Sequence, residues 1–304
     1  MFLYQAGMKA VSINLRGRLQ GVGFRPWVFC LAQELGLKGF VQNTSYGAYI
    51  EMEGAPIVLE SFMKALREKT PTHCLITEMF MKDILWQGFE QFQILTSQDK
   101  DEHKALVLPD IATCADCIHE IFDPANRRYL YPLTNCTHCG PRYSIIEHLP
   151  YDRAHTTMKG FVMCPQCQAE YDNPKDRRFH AQPNACPVCG PQVMLLDNQG
   201  KLLFEASHAV DTAVDFIKQG HIVAVKGIGG FHLMADALNE KAVELLRHRK
   251  ARWYKPLALM MPSVEITKKY VRVSVLEEQT LQSSSAPIVL LSKLEKVTKI
   301  AESV

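Results

Sequence analysis

The chain has 304 residues, 47% hydrophobic and 22% charged, with a formal net charge of +2. That length exceeds one typical domain and fits two or three, and the composition is that of a globular protein. No apolar run reaches ~18 residues and no signal peptide precedes the first strand, so the expectation is a cytoplasmic protein without a membrane span. The near-neutral balance makes no general case for a polyanion partner.

Residues 1–98 read as the first domain. Val11, Ile13 and Leu15 alternate with Ser12, Asn14 and Arg16, the period of a half-buried strand. A glycine-bearing loop follows over 18–25, and Pro26 is placed to open a helix burying Val28, Leu31, Ala32 and Leu35. Residues 39–43 and 48–53 read as antiparallel strands around a turn at 44–47, and 56–69 as a helix with Val58, Phe62 and Leu66 on one face. Residues 74–82 and 89–95 supply closing strands. The order β-α-β-β-α-β is the ferredoxin-like arrangement. Gln20, Gly21, Val22, Gly23, Phe24 and Arg25 lie between a strand and a helix N-terminus, where backbone N–H groups and the helix dipole favour an anion. Arg25 can clamp a phosphoryl group through forked hydrogen bonds. This loop, followed by a helix and then Gly39-Phe-Val-Gln-Asn43, resembles the acylphosphatases over residues 9–97. The resemblance implies that Arg25 binds phosphate and Asn43 orients the water attacking an acyl phosphate, with no metal required. The bland alternative is a ferredoxin-like domain whose loop is vestigial.

Residues 99–195 hold eight of the ten cysteines, after a polar linker at 99–103. Cys114/Cys117, Cys136/Cys139, Cys164/Cys167 and Cys186/Cys189 form four CxxC pairs separated by 18, 24 and 18 residues. The segment is also a repeat. Adding 50 to Cys114, Cys117, Glu120, Pro124, Arg127, Arg128, Cys136, Cys139, Gly140 and Pro141 lands each time on the same residue type. Two CxxC turns complete a tetrahedral sulfur site for Zn²⁺, which predicts two structural zinc ions. Each repeat is self-contained if Cys114, Cys117, Cys136 and Cys139 hold one ion and Cys164, Cys167, Cys186 and Cys189 the other. A crossed pairing stays open. His119, His138, His148, His155 and His180 read as bystanders. Between residues 110 and 192 there are eight Lys/Arg and nine Asp/Glu, so no cationic stripe marks a nucleic-acid finger. Arg127, Arg128, Arg177 and Arg178 are expected to pair with carboxylates or reach a neighbouring domain. Cys30 and Cys74 stand apart as core or surface thiols.

Residues 196–304 form the third part. The pattern predicts an amphipathic helix over 206–218 (Val210, Val214, Ile217), ended by Gly220, and a strand over 222–225. A helix follows over 239–249 with Asn239 as N-cap, and strands over 256–261 and 287–291. Arg247, Arg249, Lys250, Arg252 and Lys255 make a basic run around Trp253 and Tyr254, suited to triphosphate or RNA. Lys250-Ala-Arg252 with Lys255-Pro256 resembles the YrdC-like fold, in which such residues line an ATP cavity. The segment Lys226-Gly-Ile-Gly-Gly-Phe-His replaces that fold's usual Thr-rich signature, and no Ser-x-Asn motif follows before Val304.

Acylphosphatase-like, duplicated CxxC and YrdC-like segments in this order resemble the N-terminal part of the HypF-type hydrogenase maturation carbamoyltransferases over residues 9–304. The implied fold is α+β multidomain: a ferredoxin-like acylphosphatase domain, a zinc-ribbon-like module with two four-cysteine sites, and the first half of a YrdC-like domain. The implied function is hydrolysis of carbamoyl phosphate in the first domain. Carbamate then passes to an ATP-dependent domain that forms carbamoyl adenylate, with Lys226, Lys250, Arg252 and Lys255 facing the nucleotide. A partner maturation protein accepts the carbamoyl group on a C-terminal cysteine, toward the active-site cyanide ligands. Because the chain stops at Val304, adenylation and transfer are expected to be incomplete. The competing reading is a zinc-dependent RNA-binding or adaptor protein, with RNA held by the YrdC-like region and a vestigial acylphosphatase fold.

Overall fold

The computed structural model describes residues 7–97, 105–295 and 299–304; the linker expected at 99–103 lies outside them. The chain divides into two compact units, Met1–Pro191 and Gln192–Val304.

The first unit opens with strand β1 (Lys9–Arg18), helix α1 (Phe24–Glu34), β2 (Lys38–Thr44), β3 (Gly47–Gly54), helix α2 (Pro56–Glu68), β4 (Leu75–Asp83) and β5 (Phe92–Ile94). Their sheet runs β4-β1-β3-β2-β5; β1 lies antiparallel to both β3 and β4, and the short β5 adds parallel to β2 at the edge. The register sets Ile13 opposite Ile50 and Leu15 opposite Ala48. Ile13, Leu15, Ile50, Met52, Val28 and Phe62 close a core between the sheet and both helices. The alternation expected in β1 breaks at Ser12, which is buried while Asn14 and Arg16 on the same face are exposed. Helix α1 begins at Phe24, two residues before Pro26, because Gly23 turns into the left-handed region at φ 75° and brings the chain into the helix early.

The duplicated segment contributes one short helix per repeat. Helix α3 (Ala115–Phe122) and helix α4 (Pro165–Asp172) each start directly after the first cysteine of a repeat, fifty positions apart. The left-handed residues Leu130 (φ 55°) and His180 (φ 52°) also occupy equivalent places. Eight-residue helices are too short to persist alone in water, so their order comes from what grips them. The module packs against the first domain through Phe179, whose ring lies 5.4 Å from that of Phe29 on α1.

The second unit holds a hairpin of β6 (Met194–Leu196) and β7 (Leu202–Glu205), helix α5 (Ala206–Lys218), a hairpin of β8 (Val223–Lys226) and β9 (Phe231–Met234), helix α6 (Glu240–Lys250), and short helices α7 (Val264–Thr267) and α8 (Val275–Leu281). The N-cap expected for α6 is present at Asn239, whose side chain accepts from the N–H of Ala242 at 3.2 Å. Two expected strands fail: residues 256–261 and 287–291 form none, because a strand exists through its ladder and none pairs with them among the described residues. Residues 231–234 form β9, because β8 offers them a partner. On α5, Val210 and Val214 remain 41% and 43% exposed, so that apolar face is not core here. Among the described residues no helix is long and apolar enough to cross a membrane.

Candidate functional site

Within each repeat the four cysteine sulfurs converge. Cys114, Cys117, Cys136 and Cys139 make one group, and Cys164, Cys167, Cys186 and Cys189 the other, with all ligand atoms of a group within 4.8 Å of one another. The grouping is sequential, not crossed. Sulfur separations of 3.5 Å (Cys117–Cys139) to 3.8 Å (Cys114–Cys136, Cys136–Cys139) match the ~3.8 Å edge of a tetrahedron with Zn–S bonds of about 2.3 Å. The second group spans 3.6 to 3.7 Å. A disulfide would require about 2.05 Å. The donor set therefore fits one zinc ion per group. The histidines lie elsewhere: His148 and His155 stack on each other at 4.0 Å, and His180 packs on Tyr171 and Phe179.

What surrounds each sulfur group comes from the other repeat. Arg127, in the first repeat, donates to Cys164 and Cys167 at 3.4 and 3.2 Å. Arg177, in the second, donates to Cys117 at 3.3 Å. Beside them Arg128 grips Glu170 (2.8 and 2.6 Å), the carbonyl of Ala185 (2.9 Å) and Asn184 Oδ1 (3.0 Å). Arg178 mirrors it on Glu120 (3.2 Å to Oε1) and the carbonyl of Asn135 (3.0 Å). Burial alone would raise the Glu120 carboxyl, but hydrogen bonds from Arg178 and Arg177 win and hold it at about 2. The same contest leaves Glu170 below the ordinary range, through Arg128. Four thiolates on Zn²⁺ carry net negative charge, and these guanidiniums neutralise it. The expectation that the four arginines pair with carboxylates is met, across the repeat boundary.

The glycine loop lies against the same module. Gly21 and Gly23 adopt φ 74° and 75°; a Cβ at Gly21 would come within 3.0 Å of Arg142 Cδ. Among the described residues none of the backbone N–H groups of Gly21, Val22, Gly23, Phe24 or Arg25 donates a hydrogen bond, which leaves a ring of donors suited to an anion. Asn43, at the end of β2, sits beside Arg25: with its Oδ1 facing the guanidinium it accepts from Nη2 and Nε at 3.2 Å each. Arg25 itself is nearly buried and donates from Nη2 to the carbonyl of Tyr151 (3.1 Å) and to Asp152 Oδ1 (2.6 Å), and from Nη1 to Ser97 Oγ (3.3 Å). Gln20 joins the wall by accepting from the Tyr151 N–H at 2.8 Å while donating to the carbonyls of Thr44 and Gly47. The cavity between these groups is about 20 Å³, room for one water molecule. It is lined on one side by the loop, Arg25 and Asn43, and on the other by Arg142, Tyr151 and residues 180–183.

In the second unit Lys226 ends β8, its Nζ 4.9 Å from the centre of the Phe231 ring. Lys250, Arg252 and Lys255 gather at the C-terminal end of α6. There Arg252 donates to the carbonyls of Lys255 (3.4 Å) and Pro256 (2.7 Å), and Arg247 to those of Arg252, Trp253 and Lys255. Two guanidiniums of the basic run are thus engaged by their own loop.

Sequence reasoning missed Arg142, Tyr151 and Asp152. Arg142 is 2% exposed and ties the loop to the first CxxC knuckle: it donates to the carbonyl of Gly21 and to those of Cys139 (3.2 Å), Pro141 (2.8 Å), Cys136 (3.3 Å) and Thr137 (2.8 Å). A signal existed. The repeat holds through Pro141/Pro191 and breaks at the next position, Arg142 against Gln192, where only the first copy meets the glycine loop. For Tyr151 and Asp152 no local pattern points anywhere.

Three families match successive parts of the chain: acylphosphatase over residues 11–94, the HypF finger over 113–146 and 163–196, and the family described as telomere recombination, to which YrdC belongs, over 215–304. The carbamoyltransferase HypF of Synechocystis sp. is 50% identical over 290 residues, 95% of this chain and 38% of that protein. An acylphosphatase of Thermotoga petrophila is 35% identical over 88 residues, 29% of this chain and 97% of its own. A crystal structure of full-length HypF in a phosphate- and nucleotide-bound form superposes with a TM-score of 0.90 at 46% identity, covering 97% of this chain and 38% of that one. The chain thus spans little more than a third of the length of the HypF proteins it matches.

Proposed function

The chain belongs to the HypF carbamoyltransferase family, and on that premise we propose that residues 1–98 hydrolyse carbamoyl phosphate. Water attacks phosphorus, the bond from phosphorus to the acyl oxygen breaks, and carbamoyl phosphate dianion plus water gives carbamate and dihydrogen phosphate. The free amides of Gly21–Arg25 and the Arg25 guanidinium hold the phosphoryl oxygens as charge builds on them. Asn43, with Oδ1 on Arg25, turns its Nδ2 toward the attacking water. Such anhydrides need positioning and charge stabilisation more than a strong base. The observation that carries this reading is the meeting of five unengaged amides, Arg25 and Asn43 around one cavity.

Carbamate decomposes in water, so the proposal continues with its transfer to the YrdC-like domain, residues 196–304. There condensation with ATP gives carbamoyl adenylate and pyrophosphate, with Lys226, Lys250, Arg252 and Lys255 toward the nucleotide. In the whole protein a partner hydrogenase maturation protein then takes the carbamoyl group on a C-terminal cysteine. Residues 99–195 hold two structural zinc ions on the two four-cysteine groups. Free CxxC thiols at zinc spacing suit the reducing cytoplasm, where we place the reaction. The RNA-binding alternative draws no support from the family match. The test is phosphate release from carbamoyl phosphate by the zinc-loaded chain: Arg25→Ala and Asn43→Ala should each abolish it with zinc content kept. Equal release by both variants refutes the assignment.

A further inference from the structure

On the first-domain side of the cavity the loop and the Arg25 guanidinium offer donors. On the zinc-module side Arg142 spends its donors on backbone carbonyls, and two acceptors hold Arg25 Nη2: the carbonyl of Tyr151, a lining residue, at 3.1 Å, and the carboxylate of the next residue, Asp152, at 2.6 Å. Neither acceptor is loosely hung. Tyr151 is 4% exposed, with its N–H on Gln20. Arg153 follows, its N–H on Gln182 Oε1 at 2.7 Å and its guanidinium on three carbonyls, those of Gln182, Asn184 and Phe161. Asp152 therefore projects from a backbone anchored on both sides. An anion on the loop that takes the Nη2 hydrogens of Arg25 leaves Tyr151 O and Asp152 Oδ1, side by side on that nitrogen, without their donor.

Resting on the assignment of the phosphoryl group to the glycine loop, we propose that Asp152 and the Tyr151 carbonyl are specificity determinants that select acyl phosphates bearing an N–H₂ on the acyl carbon. A carbamoyl group supplies two N–H donors to these acceptors; an acetyl methyl supplies none and leaves a partly buried carboxylate unpaired. Sites built to hydrogen-bond a substrate N–H discriminate strongly against analogues lacking it, and one hydrogen bond to a charged acceptor is worth about tenfold to a hundredfold. Asp152 also competes with the phosphoryl group for Arg25. That competition is common to every acyl phosphate and cancels in a ratio of substrates.

The experiment measures kcat/KM for carbamoyl phosphate and for acetyl phosphate, each corrected for spontaneous decay, with the zinc-loaded full chain and with Asp152→Ala and Asp152→Asn. The expected result is a carbamoyl-to-acetyl ratio at least tenfold lower in Asp152→Ala. The ratio should be intermediate in Asp152→Asn, which keeps an acceptor oxygen at the same reach. A ratio unchanged within twofold in both variants overturns the proposal, and parallel loss of both substrates counts as such a result, while leaving the hydrolase assignment standing. Failure of the unmutated chain to hydrolyse either substrate removes the phosphate assignment and this inference with it, and is read before any variant is made.

Discussion

Arg128→Ala tests whether the two repeats hold each other. The Arg128 side chain is 1% exposed and its guanidinium serves Glu170, the carbonyl of Ala185 and Asn184 Oδ1. Truncation leaves a carboxylate and two buried oxygens short of donors. Removing one partner of a buried ion pair costs about 3–5 kcal/mol. Glu170 keeps Arg127 at 2.9 Å, so the lower end, about 3 kcal/mol, is expected here, a large part of the ~5–15 kcal/mol that typically holds a domain. Urea unfolding of the zinc-loaded chain reads this directly. The sharper readout is metal. Arg127 and Arg128 both donate toward Cys167, so a change in the first repeat should loosen the ion of the second. Partners one step out from a metal are worth about 10- to 100-fold in affinity. Under graded chelation, followed by alkylation and mass spectrometry, Cys164, Cys167, Cys186 and Cys189 should become reactive first in Arg128→Ala. In Arg178→Ala the order should reverse to Cys114, Cys117, Cys136 and Cys139. A loss below about 1 kcal/mol, the scale of an exposed ion pair, or reactivity appearing first in the mutated repeat's own cysteines, refutes the reciprocal brace.

Gly21→Ala should lower the melting temperature and raise KM for acyl phosphates, because φ 74° disfavours a Cβ and that atom would press on Arg142 Cδ; an unchanged KM argues against a tight loop–module contact. His180 is held down to about 4, by burial first and then by Arg25, so the unfolded chain binds an extra proton between about pH 6.5 and 4. Stability is then highest above about pH 6.5 and falls as pH drops toward 4, by on the order of 3 kcal/mol. His180→Asn, whose residue tolerates the left-handed backbone, should lack this part of the decline when the two unfolding profiles are subtracted. Stripping zinc should reduce the far-ultraviolet signal of α3 and α4, each of which starts directly after a cysteine of its group, and weaken hydrolysis through Arg142; full helicity after stripping would contradict this.

Legibility followed the distance over which residues act. The β-α-β-β-α-β order, the helix over 206–218 and the cap at Asn239 all arise from neighbours within a few positions, and each is visible as periodicity or turn chemistry. The cysteine groups were readable because four CxxC pairs in duplicate leave little else to do. Arg25 and Asn43 do meet at one cavity, but what covers them was invisible. The bond from Arg25 to Asp152 spans 127 positions, and nothing periodic connects its ends. The strands expected at 256–261 and 287–291 failed for a related reason: a short apolar run states a preference, and only a neighbouring strand turns it into structure.

Reciprocal bracing also dictates an order of manufacture. The first sulfur group is complete in sequence at Cys139, yet the guanidiniums that border it, Arg177 and Arg178, are made about forty residues later. At typical elongation rates of about 5–20 residues per second, that is a delay of roughly 2–8 s. During this time the nascent chain displays four thiols with no shielding charge. The early metal site is therefore finished only when the late repeat has left the ribosome, and a chain arrested between the two presents an open cluster to whichever soft metal arrives first.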